Sequence, residues 1–256
     1  RDAAALLAEA GLPVLMIGRG TNILVRDGGL RGAVLSGRKA FGGVERTEQG
    51  LRAGAGVGLP RLLSFCAEEG LAGLEGLAGI PGSAGGAVVT NAGSFGTSVA
   101  ERLVGISASE SGRAPRFIPR GELEIGYRCT EIPEGAFVEH VELALDEGDP
   151  AEIGELQRQT LERKWRSQPS GMRSAGCVFR NPTGLAAGRL IEEAGLKGRR
   201  IGGAVVSDLH ANFILNDRGA TAGDVERLIE LVRERVQSSS GVTLELEIEV
   251  VGESGS

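Results

Sequence analysis

The chain has 256 residues, 24% of them charged, and 28 basic against 34 acidic residues give a formal charge of -6; this length admits one large domain or two to three small coupled ones with a sizeable core. An acidic balance with only 4% aromatic residues excludes a general nucleic-acid binder, which needs a basic face and rings for base stacking. Cys66, Cys129 and Cys177 lack any CxxC spacing, no apolar run reaches the roughly 18 residues of a membrane span, and the first residues lack the charged and apolar regions of a signal peptide, so the expected location is a reducing cytoplasm with no membrane partner.

Residues 3–10 read as the end of a helix stopped by Gly11, and 14–17 as a strand leading into the turn-prone Gly18-Arg19-Gly20-Thr21-Asn22. A second strand is predicted over 23–26, with Asp27-Gly28-Gly29 as its hairpin turn. Short strands continue through Leu35 and from Leu51 to Ala55. Leu62, Leu63, Phe65 and Cys66 fall at helical spacing before Gly70, which predicts a helix over 59–69. Residues 73–96 then carry many glycines and almost no charge. The 42 glycines of the chain far exceed the roughly 18 of average usage. They are clustered and not periodic, which points to loops whose backbone does the binding.

Strands from Leu103 and over 137–145 complete a mixed first part. Asp149-Pro150-Ala151-Glu152 supplies a cap, a first-turn proline and a first-turn acid for a helix running toward Trp165. A short helix over 186–194 is closed by Gly195. Thr221 and Asp224 cap a longer one whose Val225, Leu228, Ile229, Val232 and Val236 form an apolar stripe. At the end of the chain Val242, Leu244, Leu246, Ile248 and Val250 alternate with Thr243, Glu245, Glu247 and Glu249, the pattern of a strand with three glutamates on its outer face.

The segment Gly18 to Asn22 offers consecutive N–H groups to a phosphate, with Thr21 and Asn22 as extra donors, or is a plain glycine hairpin. It is not a dinucleotide fingerprint, because Ile23 stands where a third glycine would open a helix. Gly79 to Ala87, followed by Thr90-Asn91-Ala92-Gly93, is harder to explain as structure alone. Glycine in regular structure costs about 0.5–1 kcal/mol per residue, so this density implies close approach by a ligand, and the missing Gly-Lys-Ser/Thr excludes a P-loop. Cys177, between Gly176 and Val178, reads on its own as a buried structural cysteine. Arg128, beside the only tyrosine, Tyr127, reads as a surface arginine, and Glu247 as one of three exposed acids. His140 and His210 lie too far apart to suggest a chelating pair, so no metal site is expected. No Gly-x-Ser-x-Gly elbow supports a catalytic triad.

In order along the chain, Gly18 to Asn22, Gly73 to Leu77, Ile80 to Gly86, Asn91 to Gly93, Tyr127-Arg128, Gln168-Pro169, Ser174 to Pro182, Gly188 to Gly198, His210 to Phe213 and the closing Leu244 to Gly252 resemble the UDP-N-acetylenolpyruvoylglucosamine reductase family over nearly the whole length. The resemblance implies an α+β architecture, with a two-lobed FAD-binding fold of the PCMH type over 1–147 and a smaller α+β substrate-binding domain over 148–256. Its last strand, 243–251, would return toward the FAD lobe. It further implies a non-covalent FAD held by Gly18, Arg19, Gly20, Thr21, Asn22, Ile23 and Leu24, by Ile80, Pro81, Gly82, Ser83, Gly85 and Gly86, and by Asn91 and Gly93. NADPH would reduce the flavin, which would pass a hydride to the enolpyruvyl group of a UDP-amino sugar. Arg128 and a protonated Glu247 would hold the developing negative charge, and Cys177 would deliver the proton. Tyr127, Arg166, Asn181 and Lys197 would touch the substrate.

The chain departs from this family in three places. Members commonly begin with a Thr-containing Gly-Gly segment that touches FAD, and this sequence starts after it, so a truncation is expected. Most members carry serine where Cys177 stands, and many carry a basic residue where Glu249 stands. No tyrosine-bearing insertion is present, which fits the compact subgroup, and a monomer is expected. Two other functions remain open on the sequence: an FAD-dependent oxidase or dehydrogenase of the same fold, or an inactive FAD- or nucleotide-binding homologue. No His or Cys lies between Cys66 and Cys129 to anchor a covalent flavin.

Overall fold

In the computed structural model, which describes residues 2–110 and 113–255, the strand Ala136–Ala144 alternates strictly between buried and half-exposed positions. That is the period-2 signature of a strand with one face on a core. It lies at the centre of a five-stranded antiparallel sheet whose order is Arg116–Pro119, Leu103–Glu110, Ala136–Ala144, Gly50–Gly54 and Val44–Thr47. Helices Leu59–Glu68 and Ala84–Val89 contribute Leu59, Leu62, Ala84 and Val88 to one core with Leu51, Ile106, Val141 and Leu143 of the sheet. Each large aliphatic side chain buried this way contributes about 1.5–3 kcal/mol.

The chain divides into two compact units, one of Arg1–Gly20 and Gly32–Lys164, the other of Thr21–Arg31 and Trp165–Ser256. The sequence reading sets the division at 147/148. The difference lies in Thr21–Arg31, which joins the second unit, and in the helix Pro150–Ser167, started by the Asp149 carboxylate accepting the Ala151 N–H at 2.7 Å. The helix's buried Ile153 and its Gln157, whose amide donates to the Leu63 carbonyl at 3.0 Å, tie it to the first unit.

In the second unit, Arg200–Ile201, Ala204–Val206 and Ile214–Asn216 form a three-stranded antiparallel sheet. The helix Ala222–Ser240 packs on it, opened by a capping box between Thr221 and Asp224 and closed by Gly241 in the left-handed conformation. Phe179, Ile191, Leu228, Val236 and Leu244 are among the most deeply buried residues of this unit's core.

Two sequence expectations change. Asp27-Gly28-Gly29 does not turn a hairpin: Val14–Ile17 pairs in parallel with Ala33–Ser36, and Ile23–Val25 pairs in parallel with Glu249–Val251. Asp27 instead caps a distant helix, its carboxylate accepting the N–H groups of Ala222 at 2.8 Å and Gly223 at 2.9 Å. These are two of the donors that every helix start leaves unpaired. The closing segment is a strand only at Glu249–Val251. The residues before it are held by single links, the Phe179–Leu246 bridge and the Arg180 N–H on the Glu245 carbonyl at 2.8 Å. Among the described residues no helix is long and apolar enough to cross a membrane, and no group of three or more His, Cys, Asp or Glu is arranged to hold a metal ion.

Candidate functional site

In the first unit the candidate residues are placed by glycines that let backbone segments touch. A Cβ on Gly18 would sit 2.3 Å from the Ser83 hydroxyl, and one on Gly85 would sit 2.6 Å from the Ala55 methyl. Only glycine permits either approach. Gly82 has φ 151° and Gly79 φ 80°, conformations an L side chain rarely adopts. The segment from Gly82 to Gly85 is then fixed by Leu59 N–H on Gly82 O at 3.1 Å, Ala84 N–H on Val57 O at 2.8 Å and Gly85 N–H on Ala55 O at 2.9 Å. Ser83 is buried and its hydroxyl caps the helix Ala84–Val89 by accepting the Gly86 N–H at 3.4 Å. Around this frame Arg19, Gly20 and Pro81 remain exposed, and Ile80, Gly82 and Gly86 half-exposed. The result is an exposed, glycine-rich edge over a fixed backbone.

Two further members of the predicted cofactor set have structural work. A Cβ on Gly93 would lie 2.4 Å from the Thr97 carbonyl, so glycine is required there by the hairpin Gly93–Ser94 with Thr97–Ser98. Asn91, at φ 39°, uses both ends of its amide inside the protein: Oδ1 accepts the Ala100 N–H at 3.2 Å and Nδ2 donates to the Gly126 carbonyl at 2.9 Å.

That carbonyl opens the turn that carries Arg128. Ile125–Gly126 pairs with Cys129–Thr130, leaving Tyr127 and Arg128 as the two turn residues. Arg128 has φ 57°, where glycine or asparagine is the usual occupant and another residue costs about 1–2 kcal/mol. Strain of this kind at a charged residue is a pointer to function. The Arg128 guanidinium lies 5.5 Å from the centre of the exposed Tyr127 ring, within cation–π range.

Lys164 was not singled out from the sequence, yet it is 96% buried, at 4% relative exposure. Its Cδ lies 3.0 Å from where a Cβ on Gly79 would be, and its Nζ 5.8 Å from the centre of the Phe95 ring. The signal for it was present: Ile153, Gln157, Leu161 and Lys164 recur at spacings of four, four and three along Pro150–Ser167, one face of the helix.

The second unit holds the remaining candidates. Thr21 to Leu24 belong to it, so the predicted flavin segment Gly18 to Leu24 is split between the units. The Asn22 amide donates to the Glu247 carbonyl at 3.1 Å, and the Asn22 carbonyl accepts the Glu249 N–H at 2.9 Å. The Glu247 N–H in turn donates to the Val178 carbonyl at 2.8 Å, next to Cys177. Cys177 is half-buried against Phe213, with which it forms a β-bridge. Of the three alternating glutamates, Glu247 is half-buried while Glu245 and Glu249 are exposed.

What holds this ladder is Asn212, a residue singled out earlier only as part of a motif. It is buried, and its side chain accepts the Phe179 N–H at 2.9 Å and donates to the Phe179 carbonyl at 2.8 Å, while its own carbonyl accepts the Val178 N–H at 2.8 Å. His210 supports it from the side, its Nδ1 accepting the Asn212 N–H at 3.3 Å and its ring meeting Phe213 edge-on at 5.0 Å. Burial holds the His210 imidazole below its ordinary pKa.

The predicted substrate contacts are more dispersed. Asn181 commits Oδ1 to the Ala187 N–H at 2.9 Å, at the start of the helix Ala187–Glu193. Lys197 pairs with Glu192 at 2.7 Å. Arg166 is exposed. The other two cysteines differ from Cys177: Cys129 lies in the Arg128 hairpin, and Cys66 is buried on the helix Leu59–Glu68, where burial pushes its thiol up to about 12.

Residues 1–108 match the family described as FAD binding domain, and residues 168–251 match the C-terminal domain of UDP-N-acetylenolpyruvoylglucosamine reductase. A UDP-N-acetylenolpyruvoylglucosamine reductase of Pelobacter propionicus is 44% identical over 96% of this chain and 83% of its own length. One of Rubrobacter xylanophilus is 43% identical over 98% and 85%. The crystal structure of the UDP-N-acetylenolpyruvylglucosamine reductase of Thermus caldophilus superposes with a TM-score of 0.81 at 38% identity, covering 96% of this chain and 88% of that one. Sequence and fold together, over almost the whole length, place the chain in the UDP-N-acetylenolpyruvoylglucosamine reductase family.

Proposed function

We propose that the protein is an FAD-dependent reductase that uses NADPH to convert UDP-N-acetyl-3-O-(1-carboxyvinyl)glucosamine to UDP-N-acetylmuramate, a step of bacterial peptidoglycan synthesis. The glycine frame of the first unit fits a dinucleotide cofactor, because Gly18 and Gly85 admit close packing that a Cβ would block while Arg19, Gly20 and Pro81 beside them are exposed. These residues with Ile80, Gly82, Ser83 and Gly86 would hold FAD. When bound, FAD supplies a two-electron carrier that takes a hydride from NADPH and delivers it to the terminal carbon of the enolpyruvyl group.

The protein's own task is to manage charge and one proton. Hydride addition to the carbon–carbon double bond leaves an electron pair, as an enolate, on the carbon that bears the carboxylate. The Arg128 guanidinium matches a carboxylate in charge and fork geometry and stabilises that build-up. Glu247 in its protonated form donates a hydrogen bond to the same developing charge. The Cys177 thiol then gives its proton to the carbon, completing the lactyl ether, and the resulting thiolate is reprotonated from water. A thiol suits this role: its ordinary pKa of about 8.5 leaves it mostly protonated at neutral pH, yet it is a stronger acid than a serine hydroxyl.

The observation that carries this reading is the unequal treatment of the closing glutamates. Only Glu247 is half-buried, and its N–H is fixed to the residue next to Cys177. The test is NADPH oxidation with and without the enolpyruvyl UDP-sugar, followed by stopped-flow reoxidation of the reduced flavoprotein. Substrate-dependent turnover and an FAD absorbance spectrum are expected. Glu247→Gln is expected to slow reoxidation about 10²-fold or more, with Glu245→Gln at the parental rate. Equal losses at both positions, or NADPH oxidation indifferent to the sugar, would overturn the assignment.

A further inference from the structure

We propose that Asn91 is a positioning residue for the Arg128 turn, acting on the sugar-reduction step through Arg128 and not through the cofactor. The proposal rests on the reading of Arg128 as the carboxylate-binding cation. Asn91 and Arg128 are two of the three non-glycine residues with positive φ among those described, at 39° and 57°. One side chain joins them. Asn91 Oδ1 accepts the Ala100 N–H at 3.2 Å, which fixes the amide in orientation, and Nδ2 then donates at 2.9 Å to Gly126 O, the carbonyl immediately before Tyr127-Arg128. The far side of the hairpin is anchored by Thr130, whose buried hydroxyl donates to the Val88 carbonyl at 2.7 Å, three residues before Asn91.

The two-residue turn is thus clamped at both feet to the segment 88–91. A turn with a non-glycine residue in the left-handed region relaxes unless its surroundings over-determine it. The Asn91–Gly126 bond supplies that constraint on the leading strand, as Thr130 does on the returning one. Both ends of the half-exposed carboxamide thus have a protein partner.

Asn91→Asp separates the roles, because aspartate tolerates left-handed backbone as asparagine does and keeps the acceptor for Ala100 while losing the donor to Gly126. FAD content and the rate of flavin reduction by NADPH are expected to stay at parental values. Reoxidation by the enolpyruvyl UDP-sugar is expected to slow by about 10- to 100-fold, the scale of a misplaced binding group. Combined with Arg128→Ala, Asn91→Asp is expected to add no further loss, since a residue acting through Arg128 has nothing left to position. Loss of FAD, equal slowing of both half-reactions, or full multiplication of the two losses in the double variant would overturn the proposal while leaving Arg128 in its role. Parental reoxidation by Arg128→Ala alone would remove the reading of Arg128, and with it this one. If Asn91→Asp does not fold, Asn91→Gly retains the backbone conformation, deletes both bonds and enters the same measurements.

Discussion

The glycine frame of the first unit and the Cys177–Glu247 ladder of the second achieve rigidity by opposite means. In the first, side chains are removed: Gly18 and Gly85 let segments approach so closely that a single methyl group would collide with Ser83 or Ala55. In the second, one buried side chain is added: Asn212 makes hydrogen bonds to both backbone groups of Phe179 and thereby fixes the segment carrying Cys177. A surface that must receive a large, flat, charged cofactor benefits from bare N–H groups. A proton donor needs a defined direction, which packed and hydrogen-bonded neighbours supply.

The largest expected effect lies in the ladder. Cys177→Ala is expected to lose on the order of 10²–10⁴ in reoxidation by the sugar substrate, the usual range for a positioned general acid, with flavin reduction by NADPH unaffected. Cys177→Ser is expected to remain active, since a hydroxyl can donate the same proton. Stopped-flow measurement of each half-reaction decides it. An alanine variant that reoxidises at the parental rate would make Cys177 a packing residue and reduce the ladder to architecture.

The next effects are on stability. Asn212→Ala orphans the buried N–H and carbonyl of Phe179, each worth about 1–3 kcal/mol when left unpaired, and chemical denaturation should show a loss of about 2–6 kcal/mol. In the glycine frame, Gly85→Ala is expected to destabilise by about 1–3 kcal/mol through overpacking against Ala55. Gly154→Ala provides the contrast. It is also helical, in Pro150–Ser167, but a Cβ there meets nothing within 4 Å, so the change is expected to stabilise by about 0.5–1 kcal/mol. Should both glycine variants move in the same direction, the clash at Ala55 is not what selects glycine at 85.

These regions also differ in how far they could be read in advance. The capping box at Thr221 and Asp224, the Asp149–Pro150 helix start and the density of glycine between 73 and 96 were all legible, because each is a local pattern with a local cause. The helix Ala84–Val89 was not, since two glycines argue against a helix by propensity; at Gly85 packing against Ala55 outweighs propensity. Asp27-Gly28-Gly29 was misread as a hairpin because turn residues and helix caps share one chemistry, and sequence does not say whose N–H groups a carboxylate will accept. The closing alternation predicted one long strand, whereas its partners change along its length, from Phe179 opposite Leu246 to Ile23–Val25 opposite Glu249–Val251. The three glutamates were equivalent in that pattern and became distinct only once Glu247 was fixed to Val178. Asn212 gave no signal of its importance, because the burial of an asparagine is decided by tertiary packing.

The smallest expected effect comes from His210, which braces Asn212 through Nδ1. Burial lowers its pKa in the folded protein, so the unfolded chain binds the proton more readily, with an ordinary value of about 6.5. Stability that is complete above that value is therefore lost as pH falls through it, and the loss levels off below the folded value. Protonation would also remove the Nδ1 acceptor from the Asn212 N–H, so the same pH change loosens the ladder. Asp224, whose carboxyl is held low by the Gly203 and Thr221 N–H groups, stays ionised above pH 5 and does not confuse the measurement. Comparing Tm at pH 8 and pH 5.5 for the parent and for His210→Asn, which cannot titrate, isolates the term. The drop in Tm on acidification should be larger in the parent than in the variant. Equal drops would mean that His210 is as easily protonated folded as unfolded, and that Asn212 holds the Cys177 segment without its help.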